Sequence, residues 1–520
     1  MIVMLRSAAL RACRALAAAS TASITSGTSA TGIIGTRAER LGRFPHSTMS
    51  ATSKPAEEEG LRWRFPADDR TQAMAASVEH GVCQSTILTF NSKAPITPGL
   101  MEEALLHLYG KVESLRLCFR LRDGQLWVAD MPQPKLDFQV ASNTDLVQEH
   151  SDLHKVPFDL HNGPLWNARL MPCPPDAPCH LPEVKAAYPH QCHLLMSVHH
   201  AANDGIVVLL MAELLFHILE RLLEGSPVDT KPVGELRDGV RAREEENKIR
   251  VELESNTDRL LSALRNYSMS KRLPLLMETF GLRQVENPET LYFPTEVIDM
   301  QVLEKISKKC RSIGASLNSG LAAVFNMAMV ELAREHGIKR DVYNISCKHP
   351  VDSRRLIKDC KNIVLGFHAI PFTQCTPTPH DVRKHFWQYV KFLDTELRDK
   401  LKRNYMCEER VLDAIMRPEG HSYEAQYTTK HLPDCDHNFS NMYAPNAPHT
   451  GIGKNIQITM ARNYMSFHNE AYQFGQALAA FRGQARLQPC YSTAAYTAEQ
   501  VQKLHEKNIA SLHDVARTVD

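Results

Sequence analysis

The stretch from His193 to Gly205 constrains the fold more than any other. An apolar run from Leu194 to Val198 meets two adjacent histidines, His199 and His200, and then an Asp204-Gly205 turn. Alternation over Leu194, Met196, Val198 and His200 predicts a buried strand in which His200 points where the apolar side chains point. From Ile206 to Leu223 the apolar residues recur at helical spacing, interrupted by Glu213, His217, Glu220 and Arg221. From Leu61 to about Gly225 short β runs such as Cys83 to Phe90 and Leu126 to Val128 alternate with helical stretches, and a second such unit follows from Leu291, so the chain is expected to be α/β.

Histidine at the end of such a strand suits general-base work, because its ordinary pKa near 6.5 lies close to working pH. His200 is the candidate base and His199 the structural neighbour at the turn. A hydrogen-bonded core histidine beside an ordinary Asp-Gly turn is the competing interpretation. A serine nucleophile is disfavoured: no Gly-x-Ser-x-Gly elbow is present, and Ser197 falls on the opposite face of the strand.

Further segments lie in a suggestive order. They are Met101 to Arg116, Pro157 to Leu170 with its Pro157-Phe158-Asp159-Leu160 and Gly163-Pro164-Leu165 elements, Gly314 to Asn318, Pro350 to Arg355, Asn362 to Pro371 and Asn438 to Met442. Together with His199-His200-x-x-x-Asp204-Gly205 they resemble the acyltransferase superfamily marked by that histidine motif, and above all peptide-synthetase condensation domains and alcohol acetyltransferases. The resemblance runs from about Gly60 to the C-terminus. Gly366-Phe-His stands where that family has Gly-Asn-Phe, and the plant acyltransferase signature Asp-Phe-Gly-Trp-Gly is absent.

The resemblance implies two similar chloramphenicol acetyltransferase-like subdomains packed in a V around a central tunnel. It implies transfer of an acyl group from a thioester to a hydroxyl or amine in a ternary complex, with His200 as base. Asp204 would then hold the loop by pairing with Arg354 or Arg355, and Gly205 would let the acyl path pass close to the backbone. Ser440 or Asn441 would stand on the oxyanion and acceptor side, although Asn-Phe-Ser-Asn also reads as a loop. Acyl-coenzyme A is the expected co-substrate, an acyl carrier protein a second source of donor, and no tightly bound cofactor or metal is expected. A catalytically silent member that binds a carrier or partner protein, and a hydrolytic or epimerising use of the same site, are the alternatives.

Net charge is +1, which offers no field for nucleic acid, and every apolar run is too short or too broken by charge to span a membrane. Thirteen cysteines, odd in number and scattered, argue against a disulfide framework. Cys173, Cys179, His180, His190, Cys192 and His193 crowd one stretch, but their spacing matches no common zinc finger and prolines interrupt it, so a surface loop is expected there.

At 520 residues the chain exceeds one typical core. Residues 1–48 are expected to be a mitochondrial transit peptide. The first acid comes only at Glu39, and on a helical wheel Arg6, Arg11 and Arg14 oppose Leu5, Ala9, Ala12 and Leu16. Translation from Met49 would instead leave a cytoplasmic protein. Residues 49–60 read as a disordered spacer, 61–225 as an N-terminal acyltransferase subdomain, 226–290 as a charged helical linker, and 291–520 as the C-terminal subdomain.

Overall fold

The computed structural model describes residues 61–79, 84–281, 283, 285, 289–292, 297–357, 362–417, 435–442, 453–465 and 474–519. The expected transit peptide, the alternative start at Met49 and the spacer lie outside them.

The first half is built on a five-stranded sheet of order β15-β2-β7-β6-β5, formed by Gln84–Ser92 (β2), Phe138–Val140 (β5), Trp166–Pro172 (β6), His190–Val198 (β7) and Ile456–Met465 (β15). Helices Pro98–Lys111 (α2) and Gly205–Leu223 (α4) cover one face, packing Leu105, Leu108, Met211, Leu215 and Phe216 against Phe90, Leu194 and Met196. Helix Leu146–His154 (α3) covers part of the other face, where Leu153 meets Ile87, Met171 and Leu195. β2 is central and buried along its whole length, so its polar side chains find partners inside: Thr86 donates to Asn463, and Thr89 bonds His193. A small sheet of Arg62–Pro66 (β1), Leu117–Arg122 (β3) and Gln125–Asp130 (β4), followed after β1 by helix Asp69–Glu79 (α1), completes this half, and the two-residue strands Glu235–Leu236 (β8) and Val364–Leu365 (β12) pair in parallel.

The second half carries a larger mixed sheet of Val297–Asp299 (β10), Gln484–Ser492 (β17), Phe474–Phe481 (β16), His437–Met442 (β14), Val342–Asp352 (β11) and Ala369–Pro379 (β13), with Thr290–Tyr292 (β9) beside β17. Helices Met300–Ser312 (α7), Leu317–Glu335 (α8), Phe386–Lys402 (α9) and Ala498–Arg517 (α11) pack on it. α8 is the innermost, and from Ser319 to Val330 every residue is buried. The chain is thus α/β with two sheet-and-helix halves.

One expected boundary shifts. β15 belongs by sequence to the C-terminal subdomain but pairs with β2 in the first sheet, so residues 291–520 do not form a self-contained unit. The charged segment 226–290 is helical over two long stretches that also dock by one apolar stripe. Its helices Val240–Ser255 (α5) and Thr257–Ser270 (α6) bury Ile249, Leu253, Leu260 and Leu264 against Phe372 and helix Tyr405–Met416 (α10). Their charged faces point outward while a narrow apolar stripe docks, a pattern in which the charge density hides the stripe.

β15 is pinned where it crosses. The Glu220 carboxylate of α4, buried in the first half, accepts the backbone N–H groups of Lys454, Asn455 and Ile456 at 2.8–3.1 Å. Gly453 is required at the approach, because a Cβ there would overlap the Glu220 carboxyl group.

Candidate functional site

The regular strand β7 stops at Val198, and His199 to Asn203 form the turn into α4. Both histidines are buried, but they face different surroundings. His199 lies against Phe119 and Phe158, and its Nδ1 accepts the Ala201 N–H at 3.2 Å. Burial holds its pKa down at about 3, so it is a neutral packing residue.

His200 is oriented for a different task. Its Nδ1 lies 2.9 Å from the Asn203 carbonyl oxygen, and since a carbonyl only accepts, Nδ1 carries the proton and the neutral ring offers Nε2 as a lone pair. Burial pushes its pKa below the ordinary value, partly offset by the Asn203 carbonyl and by Asp204. Asn203 is itself steadied by the Ser114 hydroxyl, which donates to its Oδ1. The Phe367 ring meets the imidazole edge-on, with centroids 5.2 Å apart.

Asp204 is the N-cap of α4, accepting from Val207 N, and its carboxylate also accepts the His368 N–H at 2.9 Å. Arg354 grips it with both terminal nitrogens, Nη1 to Oδ2 at 2.8 Å and Nη2 to Oδ1 at 3.1 Å. The remaining guanidinium N–H groups reach Val364 O, Asp352 Oδ1 and Gly366 O. Gly366 adopts φ of 105° at this point, a backbone region open mainly to glycine. Gly205 is the first residue of α4.

Arg355 is not a partner of Asp204. It turns to Leu401 O and Asn404 Oδ1, because successive residues of the short 3-10 turn Ser353–Leu356 point in different directions. Ser440 and Asn441 lie on strand β14 rather than in a loop. Ser440 lines a cavity with Tyr292, Asn438, Tyr464 and Gln488, whose wall does not include His200; alternation places Asn441 on the other face.

Sequence reasoning missed Asn203, Ser114, Phe367 and His368. The Gly366-Phe-His departure signalled the last two, whereas nothing in the local sequence marks Ser114 as a neighbour of the turn. It also missed Arg70, a buried ion-pair partner of Asp68 that approaches Ser353. In the cysteine and histidine stretch, Cys179 bonds Asn91 Oδ1 and Leu181 O. Among the described residues no group of three or more His, Cys, Asp or Glu side chains is placed to hold a metal, and no single helix is long and apolar enough to cross a membrane.

No family profile and no curated protein sequence matches the chain. Solved structures do match it over most of its length. The condensation domain of the monacolin K polyketide synthase MokA is 14% identical with a TM-score of 0.61, covering 88% of this chain and 98% of its own. The protein has the condensation-domain fold. The same fold, chloramphenicol acetyltransferase-like with two similar subdomains, is met in the trichothecene 15-O-acetyltransferase from Fusarium sporotrichioides. That enzyme is 12% identical with a TM-score of 0.57, covering 87% of this chain and 95% of its own. It is met again in the starter condensation domain of rhizomide synthetase, a mutant solved with C8-CoA and Leu-SNAC, 15% identical with a TM-score of 0.56, covering 89% of this chain and 96% of its own. Within this condensation-domain fold the His199 to Gly205 turn of the first half and the Arg354 and Gly366 to His368 segments of the second meet at one place.

Proposed function

We propose that the protein is an acyltransferase that moves an acyl group from a thioester, acyl-coenzyme A in the simplest case, to a hydroxyl or amine, with His200 as general base. The observation that carries this reading is the 2.9 Å contact of His200 Nδ1 with the Asn203 carbonyl oxygen. With Nδ1–H engaged by the Asn203 carbonyl, Nε2 is the basic atom, and burial keeps the ring neutral until a proton arrives.

The acceptor's O–H or N–H gives its proton to Nε2 as its oxygen or nitrogen bonds to the thioester carbonyl carbon. The tetrahedral adduct then expels the thiolate, which takes the proton from the imidazolium and leaves as the free thiol. No acyl-enzyme is formed. Asp204 and Arg354 act as positioning residues, tying the histidine turn to the second half, and Gly205 leaves room beside the backbone for the acyl path. The fold shared with an O-acetyltransferase supports the reaction class. Mitochondrial import through residues 1–48 is proposed on their composition alone.

The test is thiol release, read with a chromogenic reagent, from acyl-coenzyme A donors of rising chain length mixed with pooled alcohols and amines. Acceptor-dependent release that disappears in His200→Ala is the expected result. Release without acceptor would make the protein a thioesterase. No release with any donor, carrier-bound donors included, would favour a silent binding protein.

A further inference from the structure

One face of the second sheet carries a polar feature that the acyl-transfer step does not use. Asn438 pairs with Gly475 and Ser440 with Ala477, while Gly475 pairs with Cys490 and Ala477 with Gln488. These residues therefore share one face, in which small Gly475 and Ala477 form a floor between an Asn438 wall and a Gln488 wall. Tyr292 and residues 463–465 of β15 close the opposite side, leaving a partly open cavity of about 30 Å³, room for one small polar group.

Gln488 is 3% exposed and Asn438 is 8% exposed. Yet among the described residues neither amide atom of Gln488, nor Oδ1 of Asn438, has a hydrogen-bond partner. Buried amides are nearly always satisfied, and leaving one unpaired is costly. Gln476 also borders the cavity, but alternation turns its amide to the opposite face, where its Oε1 accepts from Asn508 of α11. Among the described residues no charged side chain lines the cavity, so a neutral group suits it. Gln488 offers one donor and one acceptor side by side, the complement of the C=O and N–H of an amide.

We propose that this cavity binds a neutral, amide-bearing part of the acceptor, which Gln488 reads through reciprocal hydrogen bonds while Asn438 accepts a further donor. The proposal rests on the acyltransferase reading and names the class of acceptor. Its place agrees with that role. Met465 on the cavity wall pairs with Gln84, which pairs with Val198, two residues before His200. Two strand spacings, about 10 Å, separate Met465 on the cavity wall from Val198 on the strand that leads to the base.

The probes are N-butylacetamide, butyl acetate, which lacks the N–H, and 2-heptanone, titrated against the full-length chain by ligand-observed NMR. The amide is expected to bind about tenfold more tightly than the ester, and this preference is expected to vanish in Gln488→Leu and shrink in Asn438→Leu. Gln488→Leu removes two unpaired atoms for an apolar group of similar size, so its melting temperature is expected to hold; should it fail to fold, Gln488→Met removes the same two atoms with an unbranched side chain. Equal binding of all three probes, the result if the amides are merely hydrated, overturns the proposal, as does an unchanged preference in the variants. Amide-selective binding without thiol release from any donor would keep this site and sink the transferase reading. Acceptor-dependent release without amide preference would do the reverse.

Discussion

Arg354 of the second half holds Asp204 of the first through a two-pronged ion pair at 2.8 and 3.1 Å, and all five of its N–H groups are engaged. The pair sits at the start of the helix that follows His200, so it links the packing of the two halves to the geometry of the base. A planar fork with five donors suits this place, and an ammonium does not.

Removing one member of that pair leaves the other buried and charged. Arg354→Ala is expected to cost about 3 to 5 kcal/mol of stability, and Arg354→Lys most of the same, whereas Arg355→Ala should cost far less. Urea unfolding of the three variants checks this. Equal losses at 354 and 355 would contradict the assignment.

His200→Ala is expected to lower turnover by about two to four orders of magnitude while the protein stays folded. Because burial lowers the His200 pKa and the neutral ring is the active form, the acidic limb of the kcat/KM profile should lie below pH 6.5. A limb above that value would show that another group titrates.

Several histidines are buried uncharged. Burial holds His150, His199 and His437 at about 3, and His193 and His349 at about 4. Unfolded, each takes a proton below pH 6.5; folded, it does not until pH 3 to 4. Stability is therefore intact above pH 6.5 and lost as pH falls from there, by up to about 1.4 kcal/mol per pH unit for each histidine. Urea midpoints at pH 7, 6 and 5 should fall in that order.

Glu220 anchors the crossing strand. Glu220→Ala leaves the N–H groups of residues 454–456 without their carboxylate and is expected to cost roughly 2 to 4 kcal/mol, with Gly453→Ala destabilising through the same contact. Hydrogen exchange should then speed up along β15 before the rest of the first sheet. Uniform acceleration across the protein would mean that β15 is held by its ladder alone.

Local pattern determined a good deal: the strand that leads into the histidines, although its alternation stops at Val198 and does not reach His200, the helix after Asp204, the helix pair on either side of residues 313–316, the C-terminal helix, and the histidine turn itself. These are legible because alternation and helical spacing are properties of a few consecutive residues, and because a carboxylate before a helix caps it wherever it lies in the fold. Tertiary packing alone decided the rest. That β15 leaves its own half for the first sheet depends on Glu220, more than 230 residues away. That Arg354 rather than Arg355 meets Asp204 depends on how one short turn is seated. That Ser114 steadies Asn203, and that Phe367 lies on His200, are contacts between distant segments with no periodic signature. Gln488 reads in the sequence as one more polar residue of a strand; only the small residues beside it on β16, and the burial imposed by β9 and β15, make its amide a group in need of a partner.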